Sequence, residues 1–261
     1  MRLQKITGFL EAKYPKRNAE DWDNIGLMVG DKDAEIKKIL LVLDCDLKAI
    51  EMAKECGANL IIAHHPMIFS PIKNIDYSTV MGQKIKELIK NDINLYVMHT
   101  NIDSSKDGLN EYIIKKLGVE SSKILAVNSN NPEIGIGRYF KLETKKKLSE
   151  YIEFVKERLE IEKAILYKVP DVEEVKKVAV VNGAGASFWK KAKFYGVDLL
   201  ITADVKYHDA EDAMENGLTL LDLNHYESEK FFMELLKENL EELSIQLEIE
   251  IFNKKRTFEI V

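Results

Sequence analysis

Cysteine is nearly absent: Cys45 and Cys56 are the only two in 261 residues. One pair without a repeated Cys-x-x-Cys spacing excludes a disulfide framework and a thiolate zinc site, and it makes a reducing cytoplasm the expected location. No apolar run is long enough to span a bilayer, so a membrane protein is not expected. The opening residues MRLQKITGFLEAKYP lack the continuous apolar core of a secretory signal. Instead Leu3, Ile6 and Leu10 recur at helical spacing among charges, the pattern of an amphipathic surface helix. Positive charge is not in excess either. Lys and Arg number 38 against 44 Asp and Glu, a net charge of −6, so nucleic-acid binding is not expected without a local basic patch. Low-complexity tracts are missing, and 46% apolar residues suffice for a buried core.

What is present is a βα pattern that occurs twice. Apolar runs at 37–44, 59–63 and 95–98, with helical stretches over 47–56 and about 79–91 between them, predict a β-α-β-α-β series and a mostly parallel sheet. The series recurs with strands at 176–181, 198–202 and 218–221 and helices after Ser187 and near 207–216. Gly57-Ala-Asn-Leu-Ile-Ile-Ala resembles Gly196-Val-Asp-Leu-Leu-Ile-Thr, and the distance from Lys37 to Lys176 equals that from Gly57 to Gly196. An internal duplication accounts for this; convergent βαβ patterning is the alternative. The expected fold is therefore α/β, with two similar lobes of mostly parallel sheet and a site between them. Residues 1–119 together with 171–261 form the lobes. Residues 120–170, with a polar stretch at 128–132, a strand near 139–142 and a Lys/Glu-rich helix around 147–160, read as a linking or inserted α+β segment. At the C-terminus Ile245, Leu247, Ile249 and Ile251 alternate with polar residues, giving a half-exposed strand that is antiparallel or at an edge.

Open α/β sheets bind ligands beyond the carboxyl ends of their strands, and all five histidines fall there. His64 and His65 end the second strand, His99 follows the third, His208 follows the second strand of the repeat, and His225 follows its third. Neutral imidazole is a good ligand for zinc, iron and similar metals. Two adjacent rings on an extended strand leave by opposite faces, so each can serve a different ion, and Pro66 forces extended geometry and ends the strand. A histidine pair with no metal is the plainer alternative. Asp103 falls in a loop before a helix opened by Asp107-Gly-Leu-Asn, where it is either a ligand or a helix cap. His225 and Glu229, four residues apart on an apparent helix 225–237, share one face and suit chelation, although an exposed i,i+4 pair has the same spacing. Carboxylates can bridge two cations, and Glu229 and Asp103 are the available bridges.

The segments Asp21-Trp-Asp-Asn-Ile-Gly-Leu, Ala63-His-His-Pro-Met-Ile-Phe, His99-Thr-Asn-Ile-Asp, Thr202-Ala-Asp-Val-Lys-Tyr-His and Asn224-His-Tyr-Glu-Ser-Glu resemble, in order and over nearly the full chain, the Nif-three-like family. Members of that family are often labelled GTP cyclohydrolase 1 type 2 homologues. The resemblance implies a dinuclear metal site at His64, His65, Asp103, His225 and Glu229, two related α/β lobes and a homohexameric ring. It leaves the metal open among zinc, iron, manganese, cobalt and nickel.

Other segments carry weaker signals. Trp22, Asp23 and Asn24 can line a pocket, or Trp22 can be packing and Asp23 a loop cap. Lys206, Tyr207 and His208 can bind an anion or exchange protons, or simply occupy a surface helix. His99 can orient a ligand or move a proton. Asn182-Gly-Ala-Gly-Ala-Ser187 can present N–H groups to phosphate, yet it lacks both the dinucleotide fingerprint and a Walker lysine. The expected function is a metal-dependent hydrolase acting on a small molecule through a metal-activated water, with GTP ring opening named by the family label alone. The alternative is a non-catalytic metal-binding regulatory or chaperone-like protein.

Overall fold

The computed structural model describes residues 1–129, 131–243 and 247–253; Asn130 and Ile245 lie outside them. Tertiary contacts divide the chain into two compact units, Met1–Ile102 with the chain from Phe232 onward, and Asp103–Phe231.

The first unit holds a five-stranded sheet in the order β1-β4-β3-β2-β11, where β1 is Gly26–Val29, β2 Lys38–Asp44, β3 Leu60–His65, β4 Asn94–Val97 and β11 Glu248–Ile251. Strands β2, β3 and β4 are parallel and joined by α2 (Leu47–Cys56) and α3 (Val80–Lys90), because a strand reached through a helical crossover re-enters in the same direction. Asp46 caps α2 by accepting from Ala49 N at 2.8 Å, and Gly57 closes it at φ 75°. Leu40, Val42, Ile61, Ala63, Leu95 and Val97 cluster with Ala49, Ile50 and Ala53 of α2 and Ile85 and Leu88 of α3. The intervening Ile39, Leu41, Leu60, Ile62 and Tyr96 are buried as well. Burial on both faces is why these strands read as unbroken apolar runs. Helix α1 (Leu3–Lys13) buries Leu3, Ile6 and Leu10 as its spacing predicts, and Tyr96 OH donates to Glu11 at 2.6 Å, tying it to β4. The C-terminal β11 is at the sheet edge, as expected of a half-exposed strand. It pairs in parallel with β2, since it follows a helix, α10 (Phe231–Leu243), and not a tight turn.

The second unit holds a six-stranded sheet in the order β5-β6-β8-β9-β10-β7: β5 Lys123–Val127, β6 Gly135–Lys147, β7 Ile165–Tyr167, β8 Glu174–Val180, β9 Leu199–Thr202 and β10 Thr219–Asp222. Its core of β8, β9 and β10 is parallel, connected through α7 (Trp189–Phe194) and α8 (Tyr207–Glu215). The expected mostly parallel arrangement describes the first sheet. In the second, the parallel core is flanked by antiparallel β5, β6 and β7. Residues 120–170, expected as a linking or inserted segment, supply those three strands and α6 (Leu148–Arg158). Three short helices complete the unit boundaries and the site: α4 (Thr100–Ser104), α5 (Leu109–Lys116) and α9 (His225–Glu229).

The likeness between the halves extends to a side-chain bracket. Asn59 Oδ1 accepts from Lys37 N at 2.9 Å and Lys38 N at 3.5 Å; Asp198 Oδ2 accepts from Lys176 N and Lys177 N, both at 2.8 Å. Gly57 and Gly196, two residues before each bracket residue, have φ 75° and 67°. Both cysteines are free, and among the described residues no helix is long and apolar enough to cross a membrane.

Candidate metal centre

In the first unit the ligand candidates gather where the strands end. Strand β3 stops at His65, next to Pro66, as expected, and the ring centroids of His64 and His65 are 5.1 Å apart. Each ring is anchored to a different neighbour. His64 Nδ1 donates to the Met98 carbonyl just past β4 at 2.9 Å, and His65 Nδ1 pairs with Asp44 Oδ1 at the end of β2 at 3.0 Å. A carbonyl can only accept, so the neutral His64 ring carries its proton on Nδ1 and presents the Nε2 lone pair. His99 follows β4, and one ring nitrogen from each of His64, His65 and His99 lies within 4.8 Å of the others. Asp23 fixes His99: its Oδ1 accepts from His99 Nδ1 at 2.9 Å, while Oδ2 accepts from Thr100 N at 3.0 Å and Thr100 Oγ1 at 2.5 Å. Burial alone would raise the Asp23 carboxyl, but the donors His99 and Thr100 outweigh it and hold the group below the usual carboxylate value. Asp23 is thus an orienting acceptor, not merely a loop cap.

In the second unit α9 brings His225 and Glu229 onto one face, with His225 Nε2 2.9 Å from Glu229 Oε2. Two ligand atoms each about 2.0–2.2 Å from a shared ion stand about 3 Å apart, so the pair has chelating geometry. His225 Nδ1 meets Asp204 Oδ2 at 2.7 Å. Asp222, ending β10, links the loops that carry these residues by accepting from Val205 N at 2.9 Å and Asn224 N at 2.8 Å. Two of these loop residues have positive φ: Asp204 has φ 51°, and Asn224, which caps α9, has φ 59° and ψ 159°, a region that non-glycine residues seldom occupy. The expected helix 225–237 is two helices, α9 and α10.

Asp103 lies in α4, where a loop was expected, and it does not cap the next helix, whose N-cap is Gly108. Its carboxylate is buried, and Asn182 Nδ2 donates to Asp103 Oδ1 at 2.9 Å and to Glu229 Oε1 at 3.3 Å. Asn182 therefore spans the two carboxylates. Gly183 next to it has φ 62°, and a Cβ there would lie 2.2 Å from Glu229 Oε1, so only glycine lets the loop approach this closely. The same loop does not present its N–H groups to a phosphate: Gly183 N donates to Ser228 Oγ and Gly185 N to Thr202 Oγ1.

The donor set fits divalent metals. Three imidazoles are fixed through Nδ1 by an oxygen, the arrangement that sets tautomer and orientation in metal sites, and two buried carboxylates supply negative charge. His208 is exposed on the first turn of α8, in ring contact with Tyr207. Residue reasoning missed Asp44, Asp204 and Asn182 as supports. Asp44 and Asp204 had a signal, since each stands at or just past the end of a strand. Asn182 was singled out only as part of a phosphate loop.

Known proteins resemble this chain over nearly its full length. Residues 1–257 match the family described as Duf34/NIF3 (NGG1p interacting factor 3). A Clostridium perfringens protein named GTP cyclohydrolase 1 type 2 homolog is 44% identical over 229 residues, spanning 88% of this chain and 87% of the relative. A Methanocaldococcus jannaschii protein of the same name is 35% identical, spanning 97% and 99%. Among solved structures, reduced HcgD from Methanocaldococcus jannaschii is similar at TM-score 0.84 and 34% identity, covering 96% of this chain and 97% of its own. A Staphylococcus aureus protein is similar at TM-score 0.89 and 26% identity, covering 100% and 99%. The chain belongs to the Duf34/NIF3 family.

Proposed function

We propose that the protein holds two divalent metal ions with His64, His65, Asp103, His225 and Glu229 and uses them to hydrolyse a small molecule. The observation that carries this reading is the support of the three histidines: each has Nδ1 on a backbone carbonyl or a carboxylate, which leaves Nε2 as the ring's ligand atom. When bound, such ions supply Lewis acidity, lowering the pKa of a water and stabilising a leaving oxygen. The protein's own part is to orient ligands through Asp44, Asp204 and Asn182 and to move protons. His99, held by Asp23 and adjacent to His64 and His65, is placed for that transfer through Nε2; His208 is the second candidate. GTP is the first substrate to try, because the relatives' name includes it, and a homohexameric ring is part of the same family-based reading.

The test uses protein stripped with a chelator and reloaded with zinc, iron, manganese, cobalt or nickel, assayed against GTP and a panel of phosphoesters and amides. Turnover is expected only after reloading, with His99→Ala lowering kcat by roughly 100-fold or more while ion content stays unchanged. Absence of turnover with every metal, together with loss of folding or assembly on chelation, contradicts the hydrolase and supports a non-catalytic metal-binding protein.

A further inference from the structure

Two large aromatic side chains stand exposed beside the histidines of the first unit. Trp22 is 58% and Phe69 52% exposed, yet their ring centroids are only 5.9 Å apart, and the Trp22 ring meets His99 edge-on at 6.1 Å. They come from separate segments, and both segments are fastened from below. Asn24 Nδ2 donates to the Ile68 carbonyl at 2.6 Å, joining the Trp22 segment to the Phe69 segment. Asp23, with its side chain fully buried, grips His99 and Thr100 and also accepts from Asn24 N at 2.8 Å. The indole is thus flanked on its C-terminal side by two residues with fixed hydrogen bonds. A core role does not account for rings exposed to this degree; the buried tryptophan, Trp189, is 8% exposed.

We propose that Trp22 and Phe69 form a stacking wall that receives the planar aromatic or heteroaromatic ring of the substrate, beside His99. This rests on the reading of the adjoining histidines as a metal centre and adds the class of molecule that centre acts on. Aromatic faces stack on any flat π-system, and a wall anchored by hydrogen bonds binds without first losing loop freedom. Its position fixes the reacting part of the molecule relative to His64, His65 and His99, while ring identity is read by shape alone. A saturated ring of the same size and charge lacks the flat face and is not accepted.

The experiment takes the full-length, metal-loaded protein, with ion content measured on every sample, and titrates it with nicotinate and guanosine as planar probes. Cyclohexanecarboxylate, a saturated-ring monoanion like nicotinate, is the control. Calorimetry and quenching of indole emission are the readouts. The planar probes are expected to bind and quench, and cyclohexanecarboxylate to do neither at the same concentration. Trp22→Leu weakens planar binding about tenfold with ion content unchanged, and Trp22→Phe restores most of it. Equal affinity for nicotinate and cyclohexanecarboxylate, an unaltered Kd in Trp22→Leu, or no binding of either planar probe at millimolar concentration overturns the proposal. So does a Trp22→Leu variant that changes only the sedimentation of the protein, which would make the wall a contact for a second copy. Planar binding by a folded protein that takes up no ion when each candidate metal is supplied leaves the stacking wall standing and sinks the metal reading.

Discussion

A carboxylate taken out of water costs several kcal/mol unless donors or a cation face it. Asp103 and Glu229 are 7% and 3% exposed, and the neutral donor spanning both is Asn182, which holds the two carboxylates in place. Two substitutions isolate this effect. Gly183→Ala puts a Cβ where Glu229 Oε1 now lies, and Asn182→Ala removes the donor that aligns the carboxylates. Each is expected to weaken ion affinity roughly 10–100-fold in competition with a chromogenic chelator, while far-UV circular dichroism stays that of the native protein. Gly196→Ala is the control: its φ is also positive, at 67°, but its Cβ would meet only the tip of Lys177. It should lose about 1 kcal/mol of stability and no ion affinity. The proposed ligands stood out in the sequence because histidine and carboxylate carry their chemistry in the side chain. Asn182 and Gly183 were not, since their importance depends on Glu229 being beside them, and nothing in the residue type or the local spacing records that neighbour.

At the scale of the element, the parallel strands were legible for a physical reason: sheets covered on both faces produce short, continuous apolar runs bounded by turn residues. The helices were legible too, α1 from the spacing of Leu3, Ile6 and Leu10, all three of which are buried. The antiparallel flanks of the second sheet were less so. Strand β6 runs from Gly135 to Lys147 with its last residues exposed, and its run of lysines reads as surface more than as strand. What ties the two halves together as alike is the bracket at Asn59 and Asp198. Removing either acceptor strips two backbone N–H groups of their partner, so Asn59→Ala and Asp198→Ala are each expected to cost about 2 kcal/mol, read from the shift of the urea midpoint. Asp198→Asn keeps an acceptor oxygen and should be tolerated. Asn59→Asp should not, because Asn59 Nδ2 also donates to the Glu35 carbonyl at 2.8 Å, and a carboxylate there would face that oxygen unpaired.

For the molecule as a whole, the sequence is acidic, both cysteines are free, and no helix among the described residues is long and apolar enough to cross a membrane. If the proposed ions bind, they should raise the unfolding temperature. The central claim is tested most directly by elemental analysis of native protein purified without chelators or an affinity tag, beside the His64→Ala, His225→Ala double variant. About two ions per chain in the native protein, lost in a variant that still folds, is the predicted result. A folded native protein that holds no ion, even after supplementation with each candidate metal, contradicts it.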